Sequence, residues 1–161
     1  MSKAFLTSKS HSADAVSVAA LSRQVAAIPL RSEAGQPRIL MVTTRKSRKW
    51  IVPKGWHIPG LAGFEAAARE AFEEAGVRGI VSQRPIGQYD YIKTREPRPD
   101  LTCRVDVYLL HVNEELPVWP EMTRRDREWV NLDEAVARAG HAGLGTLIAK
   151  NPDIFTAIVC G

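Results

Sequence analysis

The apolar residues in the first third of the chain form short continuous runs that are separated by polar turns. Residues 22–31 read Ser-Arg-Gln-Val-Ala-Ala-Ile-Pro-Leu-Arg and predict a first strand, in which Pro29 indicates an edge position or a bulge. Residues 38–44 are largely apolar and β-branched, which predicts a buried strand. Residues 50–52, Trp-Ile-Val, predict a short third strand that leads into a loop.

The pattern then changes from continuous runs to a helical period. Residues 62–75 predict a helix whose alanine and phenylalanine side chains face the core. Beyond it, strands are predicted around 79–82 and 85–93, and a charged loop with two prolines is predicted at 94–100. Residues 101–112 alternate at first and then become apolar, which indicates a central strand.

The last part of the chain predicts a strand followed by helices. A short strand is expected at 127–131, a helix from residue 131 or 132 to residue 139, and a final helical segment at 144–150 after a glycine-rich break. The order of strands, helix, strands and helix indicates a mixed sheet between helices, in the α/β class. We expect one domain over 21–161, preceded by a flexible tail at 1–20 that is rich in Ser and Ala.

Composition and charge narrow the partners and the compartment. No apolar run approaches the roughly 18 residues that cross a bilayer, so we expect no membrane segment. Cys103 and Cys160 form neither a disulfide framework nor a metal motif, which favours a reducing, cytoplasmic location. The net charge of +4 suits an anionic partner. Nucleic acid ranks low, because the sequence has no aromatic-interleaved basic sheet and no helix-turn-helix pattern, so we favour a small phosphorylated substrate.

Three glutamates crowd one turn of the helix predicted at 62–75. Glu70 faces both Glu73 and Glu74, because positions three and four apart are neighbours on a helix. Like charges at that spacing repel unless a cation lies among them, and Mg²⁺ prefers carboxylate oxygens. The alternative is a solvated helix face on which Arg69 pairs with Glu73.

The loop before this helix favours the metal site over the solvated face. Residues 53–60 read Pro-Lys-Gly-Trp-His-Ile-Pro-Gly and suit tight backbone turns. Gly76 follows the helix at the position where a left-handed residue is expected. Loop, acidic helix and glycine stop therefore form one composite pattern.

That pattern resembles the Nudix box, Gly-x5-Glu-x7-Arg-Glu-U-x-Glu-Glu-x-Gly-U, in which U is a bulky apolar residue. The residues in register are Gly55, Arg69, Glu70, Glu73, Glu74, Gly76 and Val77. Two positions depart from the box. Ala71 is a small residue at the first U, and Leu61 stands where the family has its first Glu. Glu65, four residues after Leu61, is a candidate replacement for that acid.

The resemblance implies a Nudix α/β/α sandwich over residues 22–150, with a mixed β-sheet between helices. It also implies hydrolysis of a phosphoanhydride with Mg²⁺ or Mn²⁺ as cofactor. Metal ligands would then be Glu70, Glu73 and Glu74, and the catalytic residues would be Glu70, Glu73 and Arg69. In that scheme Glu70 or Glu73 is the candidate base and Arg69 orients a glutamate.

Basic residues cluster on both sides of the loop in sequence. A run of this kind is often a solvated turn, but here it leads directly to the acidic helix, and Lys and Arg bind phosphate. The candidate substrate-binding residues are Arg45, Arg48, Lys54, Gly55, Lys93 and Arg95.

Further residues resemble one branch of the family, the diphosphoinositol polyphosphate phosphohydrolases, whose relatives also cleave diadenosine polyphosphates. They are the pattern Arg-x4-Trp-Ile-Val-Pro-x-Gly from Arg45 and the segment Arg-x-Arg-Glu-Trp at 125–129. Two alternatives stay open. One is a nucleoside triphosphate pyrophosphohydrolase, and the other is a catalytically weak Nudix-fold module that binds a phosphorylated ligand, which the loss of an acid at Leu61 favours. Either a monomer or a homodimer is compatible with the sequence.

Overall fold

A computed structural model describes residues 21–157 of the chain. The strands are β1 Ser22–Glu33, β2 Gln36–Thr43, β3 Trp50–Ile51, β4 Lys54–Trp56, β5 Val77–Val81, β6 Gly87–Arg95, β7 Arg98–Glu115 and β8 Arg127–Val130. The helices are α1 Gly63–Glu70, α2 Leu132–Arg138, α3 Ala142–Lys150 and α4 Pro152–Thr156, and a π-helical segment, Ala71–Ala75, continues α1. The tail predicted at 1–20 lies outside the described residues.

The eight strands form one mixed sheet, as predicted. Its main path runs β3-β2-β1-β7-β5, while β4 pairs with β1, β6 with β7 and β8 with β2. The central pair, β1 and β7, is parallel, and the other pairs are antiparallel. Parallel strands need a long crossover between them. Here the chain between β1 and β7 includes α1, which lies on one face of the sheet.

Alternate residues of the central strands feed two separate cores. In β1, Val25 and Ala27 pack on the face that α1 covers, while Ala26 and Ile28 pack on the face that the later helices cover. Because both faces are buried, the central strands read as continuous apolar runs and not as polar–apolar alternation. The α/β/α arrangement expected from the sequence is therefore confirmed.

The helix predicted at 62–75 is confirmed and buries a row of alanines against the sheet. Ala66, Ala67, Ala71 and Ala75 are all fully buried. Small side chains allow the helix to approach the strands closely, so Ala71 fits a position where the box usually has a bulky residue.

Two expectations about prolines are wrong. The charged loop at 94–100 is a tight hairpin, because β6 runs to Arg95, β7 begins at Arg98, and these two residues pair. Pro99 is tolerated since this part of β7 precedes the stretch that pairs with β1, so it has a neighbouring strand on one side only. Pro29 lies inside the sheet, between the part of β1 that pairs with β4 and the part that pairs with β2, where its missing N–H costs no ladder bond.

Between residues 21 and 157, no helix is both long enough and apolar enough to span a membrane.

Candidate functional site

The acidic helix ends under a connecting segment, residues 116–126, that links β7 to β8. This segment binds the main chain of the π-helical segment. The indole Nε1 of Trp119 donates to the carbonyl of Glu74 at 3.1 Å, and the backbone N–H of Glu121 donates to the carbonyl of Glu73 at 3.0 Å. The last carbonyls of a helix have no partner within it, so this segment satisfies groups that would otherwise need solvent.

Gly76 ends the helix as expected, with a left-handed φ of 65°. The position also requires glycine for space, because a Cβ there would lie 2.7 Å from Cγ of Trp119. Arg127 stacks on the Trp119 ring, with its guanidinium carbon 3.7 Å from the ring centre. Glycine, tryptophan and arginine thus fix the end of the helix on which the acids stand.

Glu70 lies against Gly55, the first residue of the box-like pattern. A Cβ on Gly55 would overlap the Glu70 carboxyl group, so only glycine lets this acid pack on β4. Between residues 21 and 157, no side chain or backbone group forms a hydrogen bond or ion pair with the Glu70 carboxylate. Burial, together with the neighbouring charges of Glu73 and Glu121, raises its pKa to about 7.

Glu74 is buried and held by two donors. Its Oε1 accepts from Nη2 of Arg125 at 2.9 Å, and its Oε2 accepts from the backbone N–H of Lys54 at 3.2 Å. Burial raises the pKa of Glu74 to about 7, although the Arg125 charge acts in the opposite direction.

Glu73 lies on the more exposed side of the helix. Its Oε1 accepts from Nε of Arg69 at 3.1 Å, which is the i,i+4 pair expected for a solvated face. Arg69 pairs with Glu73, and its role in orienting a catalytic glutamate stays a prediction.

The three acids share no common partner: Glu73 is bound by Arg69, Glu74 by Arg125 and the Lys54 N–H, and Glu70 by no group between residues 21 and 157. Within the described part of the chain, no group of three or more His, Cys, Asp or Glu side chains is gathered closely enough to enclose a metal ion. The donors still fit a hard divalent cation, because they are carboxylates and Glu70 has no protein partner. Burial raises the pKa values of Glu70 and Glu74, and a divalent cation beside them would stabilise their charged forms.

Arg125 and Glu121 belong to this site, although the sequence analysis assigned no site role to them. The Arg125 side chain is only 8% exposed, and it also donates to the carbonyl of Thr43 at 3.0 Å. Its Nη2 lies 3.6 Å from Oε1 of Glu121. Their i,i+4 spacing was a signal that they pair, but only the connecting segment 116–126 places them beside Glu74.

A basic cavity of about 760 Å³ opens beside Glu74. Seven Lys and Arg side chains line it, and Glu74 is its one carboxylate among the described residues. These cations are Arg45, Lys46, Lys49, Lys54, Lys93, Arg124 and Arg125. Such a lining attracts a compact anion with several charges.

Of the predicted substrate-binding residues, Arg45, Lys54 and Lys93 line the cavity. Arg48 and Arg95 do not. Arg48 donates to the carboxylate of Asp126, and Arg95 donates to the carbonyl of Pro99 at 2.9 Å.

The inner wall of the cavity is a polar network that the sequence did not reveal. Nζ of Lys54 donates to the Tyr91 hydroxyl at 2.9 Å, and that hydroxyl donates to Oε1 of Gln24 at 2.6 Å. The His141 ring stacks on the Tyr91 ring at 4.1 Å between centres. Burial lowers the pKa of Lys54 to about 8 and that of His141 to about 4.

The family model named NUDIX domain matches residues 21–150. The chain belongs to the Nudix family. The expected family resemblance is thus confirmed, while the site roles of Glu70, Glu73 and Glu74 stay predictions.

Named relatives of this chain are hydrolases. Nudix hydrolase 16, mitochondrial, of Arabidopsis thaliana is 39% identical over 114 residues, which are 68% of this chain and 63% of the relative. Diphosphoinositol polyphosphate phosphohydrolase 3-beta of Homo sapiens is 34% identical over 116 residues, 71% of this chain and 66% of the relative. The chain spans between about half and two-thirds of the length of the plant relatives.

Solved structures share the Nudix fold with this chain. An Ap4A hydrolase binary complex from C. elegans has a TM-score of 0.64 at 19% identity, covering 85% of this chain and 99% of that one. A NUDIX hydrolase from Nitrosomonas europaea has a TM-score of 0.67 at 19% identity, covering 84% and 91%. These similarities support the sandwich fold.

The departure from the Nudix box at Leu61 has a local structural setting. Leu61 is 37% exposed in the loop before α1. Glu65, the candidate replacement for the missing acid, lies at the start of that helix. Its Oε2 accepts a hydrogen bond there from the backbone N–H of Ala62 at 2.9 Å. The acid that the structure instead brings toward Glu70 and Glu74 is Glu121, whose charge raises the pKa of both.

Proposed function

We propose that the protein hydrolyses a phosphoanhydride bond in a small polyphosphorylated molecule with the help of Mg²⁺ or Mn²⁺. One observation carries the proposal. The buried acid Glu74 lines a cavity together with seven cationic side chains, and the half-buried Glu70, one helical turn before it, has no protein partner among residues 21–157. A buried acid beside a basic pocket, with an unpaired acid one helical turn away, suits a metal ion that joins the protein to phosphate oxygens.

The proposed metal ligands are Glu70, Glu73 and Glu74. A bound divalent ion would neutralise charge on the phosphates and lower the pKa of a water molecule. Arg125 and the Lys54 N–H fix the Glu74 carboxylate, while Arg69 fixes that of Glu73.

Glu70 is the favoured proton acceptor in this scheme. Its carboxylate has a pKa of about 7 and no partner among residues 21–157, so it can take a proton from an attacking water near neutral pH. Glu73 is the second candidate, but its Oε1 already accepts a hydrogen bond from Nε of Arg69.

The cavity cations Arg45, Lys54 and Lys93 would bind the phosphates that are not attacked. Diphosphoinositol polyphosphates and diadenosine polyphosphates are the proposed substrates, since these compounds carry several phosphates and named relatives act on each class. A nucleoside triphosphate is the alternative. A cytoplasmic location remains our proposal, and several plant relatives are named mitochondrial.

A substrate panel tests the function. The full chain is incubated with a diphosphoinositol polyphosphate, diadenosine tetraphosphate and a nucleoside triphosphate, each with Mg²⁺, with Mn²⁺ or with EDTA. Products are identified by mass. We expect metal-dependent cleavage of at least one of the first two compounds, and preferential turnover of the triphosphate would replace our substrate assignment with the alternative.

The second candidate function is a Nudix-fold module that binds a phosphorylated ligand without turnover. Leu61, in place of an acid, and the Arg125 guanidinium, bound to Glu74, favour it. Binding of these compounds without cleavage at any metal concentration would establish the module and exclude the hydrolase.

A further inference from the structure

Lys54 differs from other cations near the acidic site in how its charge is held. Arg125 forms an ion pair with Glu74 and Arg69 with Glu73, so carboxylates partly neutralise both. Among residues 21–157, no carboxylate forms an ion pair with the ammonium of Lys54, although this side chain is half-buried. Placing a charge there is costly unless neutral groups solvate it.

The Tyr91 side chain provides that solvation. Its hydroxyl accepts from Nζ of Lys54 at 2.9 Å, and Nζ lies 4.6 Å from the centre of the aromatic ring. A hydroxyl and a π face both stabilise an ammonium group without cancelling its charge. The cation therefore keeps its full attraction for an anion in the cavity.

Two further residues fix the Tyr91 hydroxyl in the orientation that accepts from Lys54. Oε1 of Gln24 accepts a hydrogen bond from the Tyr91 hydroxyl at 2.6 Å, which turns the lone pairs of the hydroxyl oxygen toward the Lys54 ammonium. Gln24 is only 2% exposed, so this acceptor is held by the core. The stacked His141 ring, at 15° to the Tyr91 ring, fixes the plane of that ring.

We propose that Tyr91 is a positioning residue that holds the Lys54 ammonium at the inner wall of the cavity for a phosphate of the ligand. This inference depends on the proposed role of the cavity in binding a polyphosphorylated molecule. It assigns no chemical step to Tyr91. Replacing Tyr91 should therefore change ligand affinity, because Lys54 is proposed to bind phosphates that are not attacked.

The chain offers a matched control for the test. Tyr91→Phe removes one hydroxyl and keeps the ring that stacks on His141. Tyr89→Phe removes a hydroxyl two residues earlier in the same strand, and in the described part of the chain that hydroxyl is buried without a hydrogen-bond partner. We expect Tyr91→Phe to weaken binding about fivefold, the size of one modest hydrogen bond, and Tyr89→Phe to change it by less than about twofold.

Binding is measured by calorimetry with inositol hexakisphosphate as the probe, so the result does not depend on turnover. A double-mutant cycle with Lys54→Met then separates positioning from direct contact. If Tyr91 acts through Lys54, adding Tyr91→Phe to Lys54→Met causes no further loss of affinity. Equal fivefold losses in both backgrounds would overturn the proposal, as would equal effects of Tyr91→Phe and Tyr89→Phe.

Hydrolysis assays on the same variants distinguish this inference from the proposed function. For a substrate that the wild type cleaves, we expect KM to rise about fivefold in Tyr91→Phe while kcat stays within about twofold. A fall in kcat at constant KM would overturn the positioning role. If the wild type binds the probe but cleaves nothing, the proposed hydrolysis fails while the calorimetric cycle still decides the role of Tyr91.

Discussion

Arg125 and Glu74 form an ion pair at 2.9 Å in which the two side chains are 8% and 6% exposed. The guanidinium also donates to the Thr43 carbonyl at the end of β2, so the pair joins the acidic helix to the sheet. It explains how an acid can be fixed at this depth beside a cavity that attracts anions.

Arg125→Met tests how much this ion pair contributes to the stability of the fold. The substitution leaves Glu74 buried without its cation, and we expect a loss of about 3 kcal/mol in the free energy of unfolding measured with urea. Arg78→Met is the control, because Arg78 pairs with Glu114 on the surface and should lose less than about 1 kcal/mol. Similar losses in both variants would contradict the importance of the buried pair.

Stability should depend on pH and metal together. The folded-state pKa values of Glu70 and Glu74 are raised from 4.5 to about 7, so folding favours the protonated acids. Without metal, the melting temperature should therefore fall as the pH rises from about 5 to about 8, and Mg²⁺ should restore several degrees at pH 8. Calorimetric scans with Mg²⁺ or EDTA measure the melting temperature at each pH. A melting temperature that Mg²⁺ does not change at pH 8 would argue against the metal site.

Glu70→Gln should lower kcat by at least about a hundredfold, since it removes the favoured proton acceptor and a metal ligand. Glu65→Gln is the comparison, because its amide oxygen can still accept from the Ala62 N–H. Steady-state rates of both variants are measured on the best substrate of the panel. A large loss in Glu65→Gln would restore Glu65 as the substitute for the acid absent at Leu61.

Lys93 and Arg95 lie two residues apart on β6, but only Lys93 lines the cavity. Lys93→Gln should raise KM about threefold or more, and the increase should shrink as salt screens the cavity. Arg95→Gln should raise KM less, because the Arg95 guanidinium binds the Pro99 carbonyl. The reverse order of effects would mean that the hairpin moves over the cavity when ligand binds.

The sequence predicted features that depend on local spacing. The spacing of three and four residues brings Glu70, Glu73 and Glu74 together on one helix. Continuous apolar runs reveal the strands that are buried on both faces. The hairpin between β6 and β7 was missed because its two prolines also suit an irregular loop, and only the strand pairing distinguishes them.

The sequence could not reveal contacts between distant segments. Tyr91 reads as one aromatic residue of a strand, and its partners Gln24, Lys54 and His141 come from three other parts of the chain. Arg125 reaches Glu74 across 51 positions, through a connecting segment without a periodic pattern. Tertiary folding decides both contacts.

The segment that covers the acidic helix binds the main-chain carbonyls of residues 73 and 74, and Arg125 adds a contact to the Glu74 side chain. Within residues 21–157, the Glu73 carboxylate is bound by Arg69 and not by this segment, so it could be exchanged while the main-chain contacts and the cationic pocket stay in place. The proposed chemistry at Glu73 and ligand recognition in the pocket are thus separable, and a Glu73 variant would persist as a receptor for the proposed substrate.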